Sequence, residues 1–301
     1  MPQTLNSKSQ RYTAGKRIAL LGIAANIALL VLKLIAGYTA KSQAMVADGF
    51  NSLGDVFASV VTLAGSVYAA KPSDQNHVFG HGKAEYIAAM IIGFSMVAMG
   101  IYMVTQSASA IMQGEAPVFS WWLVFVAGLT IGVKLVLFII AWISAKKHNS
   151  MLIRANALDH RNDVFVSAGT LAAVLLSAWG ATLADGLLGV VISVWIVYTG
   201  ISILRDASRP LMDENMPPVE IAGIRGDIEQ VPGVDHVDSV VAKPVGAQYI
   251  LVAKVSVDHH MSVEDSHEIA KQIENRVKQT NPDIEDVLVH INPDFPHEVK
   301  T

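Results

Sequence analysis

Cysteine is absent from all 301 residues. That absence excludes disulfides, iron–sulfur clusters and thiolate zinc sites together. Any metal bound here is held by oxygen and imidazole. Charge is scarce as well: Asp, Glu, Lys and Arg make up 16% of the chain against 52% hydrophobic residues, and the mean hydropathy is +0.41. This lies well above what a soluble domain shows, so the chain reads as a membrane protein. The net charge is −4 and the basic residues are scattered, which leaves no footprint for nucleic acid. The polar, basic opening stretch MPQTLNSKSQRYTAGKR has no short apolar segment before a small-residue cleavage site. The first apolar run is therefore expected to be a retained helix.

What the chain has in quantity is apolar runs of membrane-crossing length, roughly 20 residues each. Six are expected, at Ile18–Tyr38, Ala44–Ala70, Ala84–Met112, Ser120–Ala145, Met151–Trp179 and Leu183–Leu204. Lys8, Arg11, Lys16 and Arg17 precede the first, Lys71 and Lys83 flank the second connection, Lys146, Lys147 and Arg154 the fourth, and Arg205 and Arg209 follow the sixth. The third and fifth connections carry no Lys or Arg, and the first only Lys41. The positive-inside rule then places both termini in the cytoplasm. After Pro210 the texture changes to alternating hydrophobicity with Pro, Asp and Glu. Helix Val219–Gln230, strand Val237–Lys243, strand Tyr249–Asp258, helix Val263–Gln279 and strand Asp286–Ile291 are expected there, a small α+β, ferredoxin-like αββαβ domain. The expected division is a tail at 1–16, a six-helix transmembrane domain at 17–209 and a cytoplasmic domain at 210–301.

Against this background the polar residues inside the apolar runs stand out. In the second run, ADGFNSLGDVFAS, Asp48, Asn51 and Asp55 fall three and four residues apart, on one helical face. The fifth run, ALDHRNDVF, repeats the spacing with Asp159 and Asp163. Each charge near a bilayer centre costs about 3 kcal/mol or more. Side-chain hydrogen bonds between helices account for one Asn, whereas several carboxylates in a bundle call for a cation. Asn51, Asp55, Asp159 and Asp163 are thus four oxygen donors able to converge on one ion, with Asp48 beside the site or on its access path. His160 and Arg161 are expected to point elsewhere, toward the cytoplasmic edge or a polar neighbour. Lys134, alone in the fourth run, either neutralises the acids or pairs structurally.

Outside the runs, Asp74, His77 and His81 form D-x-x-H-x-x-x-H in the loop KPSDQNHVFGHGKAE. This is either metal-ligand spacing or a solvated loop with Gly80 and Gly82 as turn residues. The last domain holds His236, His259, His260, His267, His290 and His297, of which only a spatial cluster would count as a site.

The six runs, the paired acidic signature in the second and fifth, the loop DQNHVFGHGKAE and the α+β tail together resemble the cation diffusion facilitator family of divalent-metal/proton antiporters, over about Lys16 to Pro293. The resemblance implies a transport site at Asn51, Asp55, Asp159 and Asp163 and a loop site at Asp74, His77 and His81. It further implies a homodimer joined through the tails, with an ion-pair interlock of Lys83 and Asp213 at the interface, in a cell membrane such as the bacterial inner membrane. The Asn-Asp-Asp-Asp pattern is similar to the manganese branch. Zinc members carry His where Asp159 stands, and the tail has Lys254 where they have a ligand His, with His267 and His290 remaining as tail ligands.

An oxygen-only site suits Mn²⁺, with Fe²⁺, Zn²⁺, Cd²⁺ and Mg²⁺ as further cargo, and lacks the nitrogen that Zn²⁺ prefers. With the metal gone, neighbouring carboxylates repel one another and a proton relieves the repulsion, which couples export to proton uptake by alternating access. No prosthetic group and no enzyme activity are expected. The competing readings are a zinc, cadmium or iron exporter of the same family, an intramembrane aspartyl protease, or a metal channel.

Overall fold

The computed structural model describes residues 2–39, 43–113, 121–178 and 184–294, without the side chains of 2–8, 37, 39, 43–51, 113, 123, 174, 177, 178, 184 and 185. Six long helices come first: α1 (Pro2–Thr39), α2 (Gln43–Ala69), α3 (Ala84–Gln113), α4 (Trp121–His148), α5 (Met151–Ala178) and α6 (Ala184–Leu211). Five contain stretches long and apolar enough to cross a membrane. α5 matches them in length, at 28 residues, but Arg154, Asp159, Arg161 and Asp163 interrupt its apolar sequence.

The helices outrun the apolar segments that announce them. α1 begins at Pro2 rather than Ile18, and α6 continues past Leu204 to Leu211. Hydropathy measures the stretch that suits lipid, whereas backbone hydrogen bonding continues through polar sequence until something stops it. Pro2 opens α1, where its missing N–H is not needed, and Pro210 stands in the closing turn of α6.

Large apolar side chains such as Leu20, Phe94, Trp121, Val191 and Tyr198 lie exposed on this bundle, as a lipid-facing surface requires. The interior is lined by small residues instead. Ala58, Ala88, Ala89, Ala155 and Ala207 are buried with Ile92, Leu152 and Ile203. Gly93 and Gly200 face each other across α3 and α6: a methyl group on Gly200 would lie 2.9 Å from the Gly93 carbonyl oxygen. Small residues let transmembrane helices approach closely where no hydrophobic force distinguishes helix from lipid.

The chain divides into two compact units, 1–72 with 84–208, and 73–83 with 209–301. The backbone therefore crosses from one to the other three times. The second unit holds α7 (Pro218–Glu229), β1 (His236–Pro244), β2 (Tyr249–Asp258), α8 (Val263–Thr280) and β3 (Ile284–Asp294), close to the expected αββαβ order. β1 pairs antiparallel with β2, and β2 parallel with β3, in the order β1-β2-β3. The parallel pair needs a crossover, which α8 supplies. α8 starts at Ser262, whose hydroxyl accepts from Asp265 N, and carries Glu264 and Asp265 in its first turn, favourable for an N-terminus. Its face of Ile269, Ile273 and Val277 packs on Leu251, Ala253 and Val255 of β2 and Val287 of β3.

Candidate metal centre and its relatives

α2 and α5 bring their acids to one place. Asp55 on α2 and Asp163 on α5 each turn one oxygen, Oδ2, to Lys134 Nζ of α4, at 2.6 Å and 2.6 Å. The ammonium donates to both and is 1% exposed. Of the two openings left for Lys134 by its sequence position, the structure realises neutralisation of the acids. Asp159, one turn before Asp163, has a buried Oδ2 that accepts no hydrogen bond among the described residues. Asn51 stands on α2 one turn before Asp55, but its side chain, like that of Asp48, lies outside the described residues.

A cavity of about 100 Å³ opens onto these groups. It is lined by Asp55, Lys134, Asp159 and Asp163 and continues along Met99, Met103, Thr130 and Val166. Polar side chains fix its walls. Asn26 of α1 donates to the backbone oxygen of Asp55 (3.0 Å) and to Ser59 Oγ (3.1 Å), and Lys33 donates to Ser52 Oγ (3.2 Å). Asn26 and Lys33 escaped the sequence reading. Their signal was of the same kind as that of Lys134: they are the two strongly polar residues inside the first apolar run.

His160 departs from its expected direction. It is 1% exposed, and its Nδ1 lies 3.9 Å from Asp163 Oδ2. Ligand atoms of Asp159, His160 and Asp163 fall within 4.8 Å of one another. Three residues of helix turn 300°, so His160 is only about 60° from Asp163 around the axis, although 100° from Asp159. Arg161 faces α6, where Nη2 donates to Thr199 Oγ1 (3.2 Å) and the guanidinium lies over Phe165 and Trp195. This is the polar-neighbour alternative for Arg161.

Near the end of the bundle where α2 stops and α3 begins, Glu85 is buried with Arg11. The Arg11 Nη2–Glu85 Oε2 distance is 2.8 Å, and Glu85 Oε1 accepts from Ser150 Oγ (2.6 Å) and Leu152 N (3.2 Å). The pair ties α1 and α3 to the α4–α5 junction. Nothing in the spacing of Arg11 and Glu85, 74 residues apart, announces it.

The loop residues Asp74, His77 and His81 do come together, with ligand atoms within 4.8 Å of one another. Asp74 Oδ1 accepts from the backbone N–H groups of Asn76 and His77 and lies 3.2 Å from His77 Nδ1, and Oδ2 lies 3.5 Å from His81 Nε2. The His77 backbone bond and its neighbours hold the Asp74 carboxyl below its ordinary range. Lys83 Nζ meets Asp213 Oδ1 at 2.8 Å within a single chain, and Lys243 reaches the other oxygen at 3.0 Å. The interlock thus closes without a second protomer, because Asp213, at φ 55°, turns the chain just after α6 toward Lys83.

The tail histidines are not joined. His267 on α8 and His290 on β3 are both exposed, and neither belongs to a ligand cluster among the described residues. Across the strands His290 pairs with Lys254, a cation where a second ligand would be needed. The tail groupings are Asp235, His236 and Asp294, and Asp258, His259 and His260. His297 lies outside the described residues.

Comparison with known proteins places this arrangement in a family. Residues 19–212 match the cation efflux transmembrane domain, and residues 216–294 match the cytoplasmic domain of cation efflux proteins, a dimerisation domain. The manganese efflux system protein MneP of Bacillus subtilis is 32% identical over 295 residues, covering 95% of this chain and 99% of the relative. MneS of the same organism is 32% identical over 285 residues, with 93% and 96% covered. The cation-efflux pump FieF of Pectobacterium atrosepticum is 26% identical over 270 residues, with 89% of each covered. With both domains matched in order and relatives aligned nearly end to end, the chain belongs to the cation diffusion facilitator family: it is a membrane cation efflux transporter and not an enzyme.

Proposed function

We propose that this transporter exports Mn²⁺ from the cytoplasm in exchange for protons, through a site formed by Asn51, Asp55, Asp159 and Asp163. One observation carries the reading. Two carboxylates from different helices grip a single cationic group between them, beside a third carboxylate whose buried oxygen has no hydrogen-bond partner among the described residues. An isolated buried carboxylate is costly, and here the ammonium of Lys134 stands where an ion would be held. Amide and carboxylate oxygens suit Mn²⁺, and two relatives are named for manganese efflux.

Proton exchange follows from the same crowding. Once the ion leaves, the acids repel, and protons replace it as the neutralising charge. Alternating access is supported by an asymmetry along the helices. The cavity extends from the acids along Met99, Met103 and Val166, whereas Asn156, which precedes α5's acidic turn, has buried polar atoms without hydrogen-bond partners among the described residues. On this reading the segment of α5 beside Asn156 lines the half of the path that opens in the alternate state. The distribution of Lys and Arg supports a cytoplasmic position for both termini and residues 210–301, and the matched dimerisation domain supports a homodimer. Asp74, His77 and His81 offer one oxygen and two nitrogens, a donor set fit for Zn²⁺ or a similar regulatory ion off the transport path. Replacing both His with Ala is then expected to alter metal dependence while transport persists.

A second reading has its own support. His160 near Asp163 offers an imidazole, which favours Zn²⁺, Cd²⁺ or Fe²⁺ as cargo. Counter-transport in proteoliposomes of the full chain separates the two, with Mn²⁺, Fe²⁺, Zn²⁺, Cd²⁺ and Mg²⁺ measured side by side under an imposed pH gradient. Asp159→His is expected to raise Zn²⁺ transport relative to Mn²⁺, and His160→Ala to leave the ratio nearly unchanged. A ratio that moves with His160 and not with Asp159 would establish the nitrogen site instead. Ion flux that neither moves protons nor responds to the pH gradient would make the protein a uniporter or channel.

A further inference from the structure

We propose that Lys134 is a tethered competitor for the transported ion: its ammonium occupies the cation position between Asp55 and Asp163, and a metal loads only when the side chain withdraws. This rests on the site reading above and adds a residue that sets the strength of binding and the ease of release.

The geometry supports competition rather than a support role outside the site. Nζ lies 2.6 Å from one oxygen of each acid, on two helices other than its own. A divalent ion bridging those carboxylates would lie between them at about 2 Å from its oxygen ligands, in the space that Nζ fills. Ammonium and metal cannot share the position. The other lysine lining the cavity, Lys33, is held instead at Ser52 Oγ. Charge-assisted hydrogen bonds of this kind are the strong ones, so a metal that must break two of them binds less tightly than the bare acids would allow.

The structure also offers the withdrawn amine a place to go. Thr130 precedes Lys134 by one turn on α4 and lines the same cavity, and its buried Oγ1 has no hydrogen-bond partner among the described residues. Helical side chains lean toward the N-terminus, which brings residue i over residue i−4. The four-carbon stem of Lys134 lets its ammonium leave the acids and donate to Thr130 without moving the backbone. Orphaned in the present state, Thr130 is satisfied in the loaded one. An exporter gains from such a residue because a site of bare carboxylates would hold its cargo too well: the returning ammonium helps expel the ion.

The test measures Mn²⁺ binding by calorimetry, and uptake into vesicles, with the purified full-length protein. Lys134→Met is expected to tighten Mn²⁺ roughly tenfold or more, since about that factor is lost per charge-assisted bond broken. Its apparent KM and its maximal rate should fall together, because release slows. Lys134→Arg, which keeps a cation on the acids, should bind as weakly as the natural protein. Thr130→Val should weaken Mn²⁺ binding several-fold in the natural background and have no effect beside Lys134→Met. The chain has no cysteine, so Lys134→Cys can be aminoethylated at one position alone; tight binding before the reaction and weak binding after it are expected. A folded Lys134→Met that binds Mn²⁺ no more tightly overturns the proposal. So does Thr130→Val with unchanged affinity, a result open even if Lys134→Met does not fold. Asp163→Ala tells this failure from that of the underlying site: binding lost there, with no tightening in Lys134→Met, removes only the competitor, whereas binding retained in Asp163→Ala removes the site itself.

Discussion

The two units of this chain solve the burial problem in opposite ways. In the helical unit the exposed side chains include Leu20, Phe94 and Tyr198, while Arg11, Glu85, Lys134 and His160 are buried. In the C-terminal unit an apolar cluster runs from Ile224 and Ile228 through Leu251 to Ile273 and Val277, the buried polar side chains there, His81, Gln248 and Ser256, include no Lys, Arg, Asp or Glu, and ion pairs such as Lys278–Asp286 lie at the surface. The solvents differ, lipid on one side and water on the other, and so does what each interior is for. A core that only has to hold together is built from hydrocarbon. One that must pass an ion keeps charges inside and satisfies them in pairs.

The contrast is broken most severely at the paired charges. Asp55→Asn leaves Lys134 with one carboxylate and removes a donor from the cation position, and Mn²⁺ transport in vesicles is expected to fall to background. Glu85→Ala leaves the Arg11 guanidinium buried and uncompensated, a loss of about 3–5 kcal/mol that thermal unfolding in detergent would register, while Glu85→Gln, retaining acceptors for Ser150 and Leu152, should cost less. On the other side of the comparison, Ile273→Ala opens a cavity in an apolar core at about 2–5 kcal/mol. Hydrogen exchange on the full chain should show faster exchange in α8 with α3 and α5 unchanged; acceleration spread evenly over both units would mean that the two interiors are not independent.

Smaller effects sharpen the comparison. Gly246 sits at φ +88°, and a methyl there would lie 2.9 Å from Gly82 Cα. Gly246→Ala is expected to cost about 1–3 kcal/mol and to loosen residues 73–83, seen as faster exchange in that loop. The smallest effect is on pH. Hydrogen bonds from Lys83 and then Lys243 hold the Asp213 carboxyl below its ordinary range, so its contribution is present above the unfolded value of about 4 and is lost as pH falls through the lower folded value. His236, raised chiefly by its bond to Asp235, works in the opposite sense: its contribution is complete below about 6.5 and fades as pH rises through the higher folded value. Both are exposed, and protection of 73–83 and of β1 should shift slightly in these two windows; Asp213→Asn should flatten the first.

The C-terminal unit was the more legible in sequence, because alternation and amphipathic spacing report directly on an apolar core. β2 was expected and found at Tyr249–Asp258, and α8 at Val263 within a residue of its predicted end. In the membrane unit the i,i+4 spacing put Asp159 and Asp163 on one face of α5, and both line the cavity; the matching pair on α2 has only Asp55 among the described side chains, and a lone Lys134 announced that it needed a partner. Which acids it would meet depended on how α4 packs, and local sequence does not encode that. His160 was misdirected because its angle to Asp159 was weighed and its angle to Asp163 was not. Arg11 with Glu85 was invisible, because Arg11 belongs to the polar stretch ahead of the first apolar run and Glu85 to the first turn of α3, places where charges are ordinary. His267 and His290 failed as a pair for the reverse reason, since α8 and β3 present them separately to solvent.

The passage of the backbone between the units ties the C-terminal unit to some helices and not to others. The chain crosses that boundary at 72–73, 83–84 and 208–209, so the unit is strung on three covalent cords that run into α2, α3 and α6. The covalent route from this unit therefore enters α2, α3 and α6 directly, whereas α4 and α5 have no direct backbone link to it. Asp55 stands on one of the linked helices, while Asp163 and Lys134 stand on the two that are not.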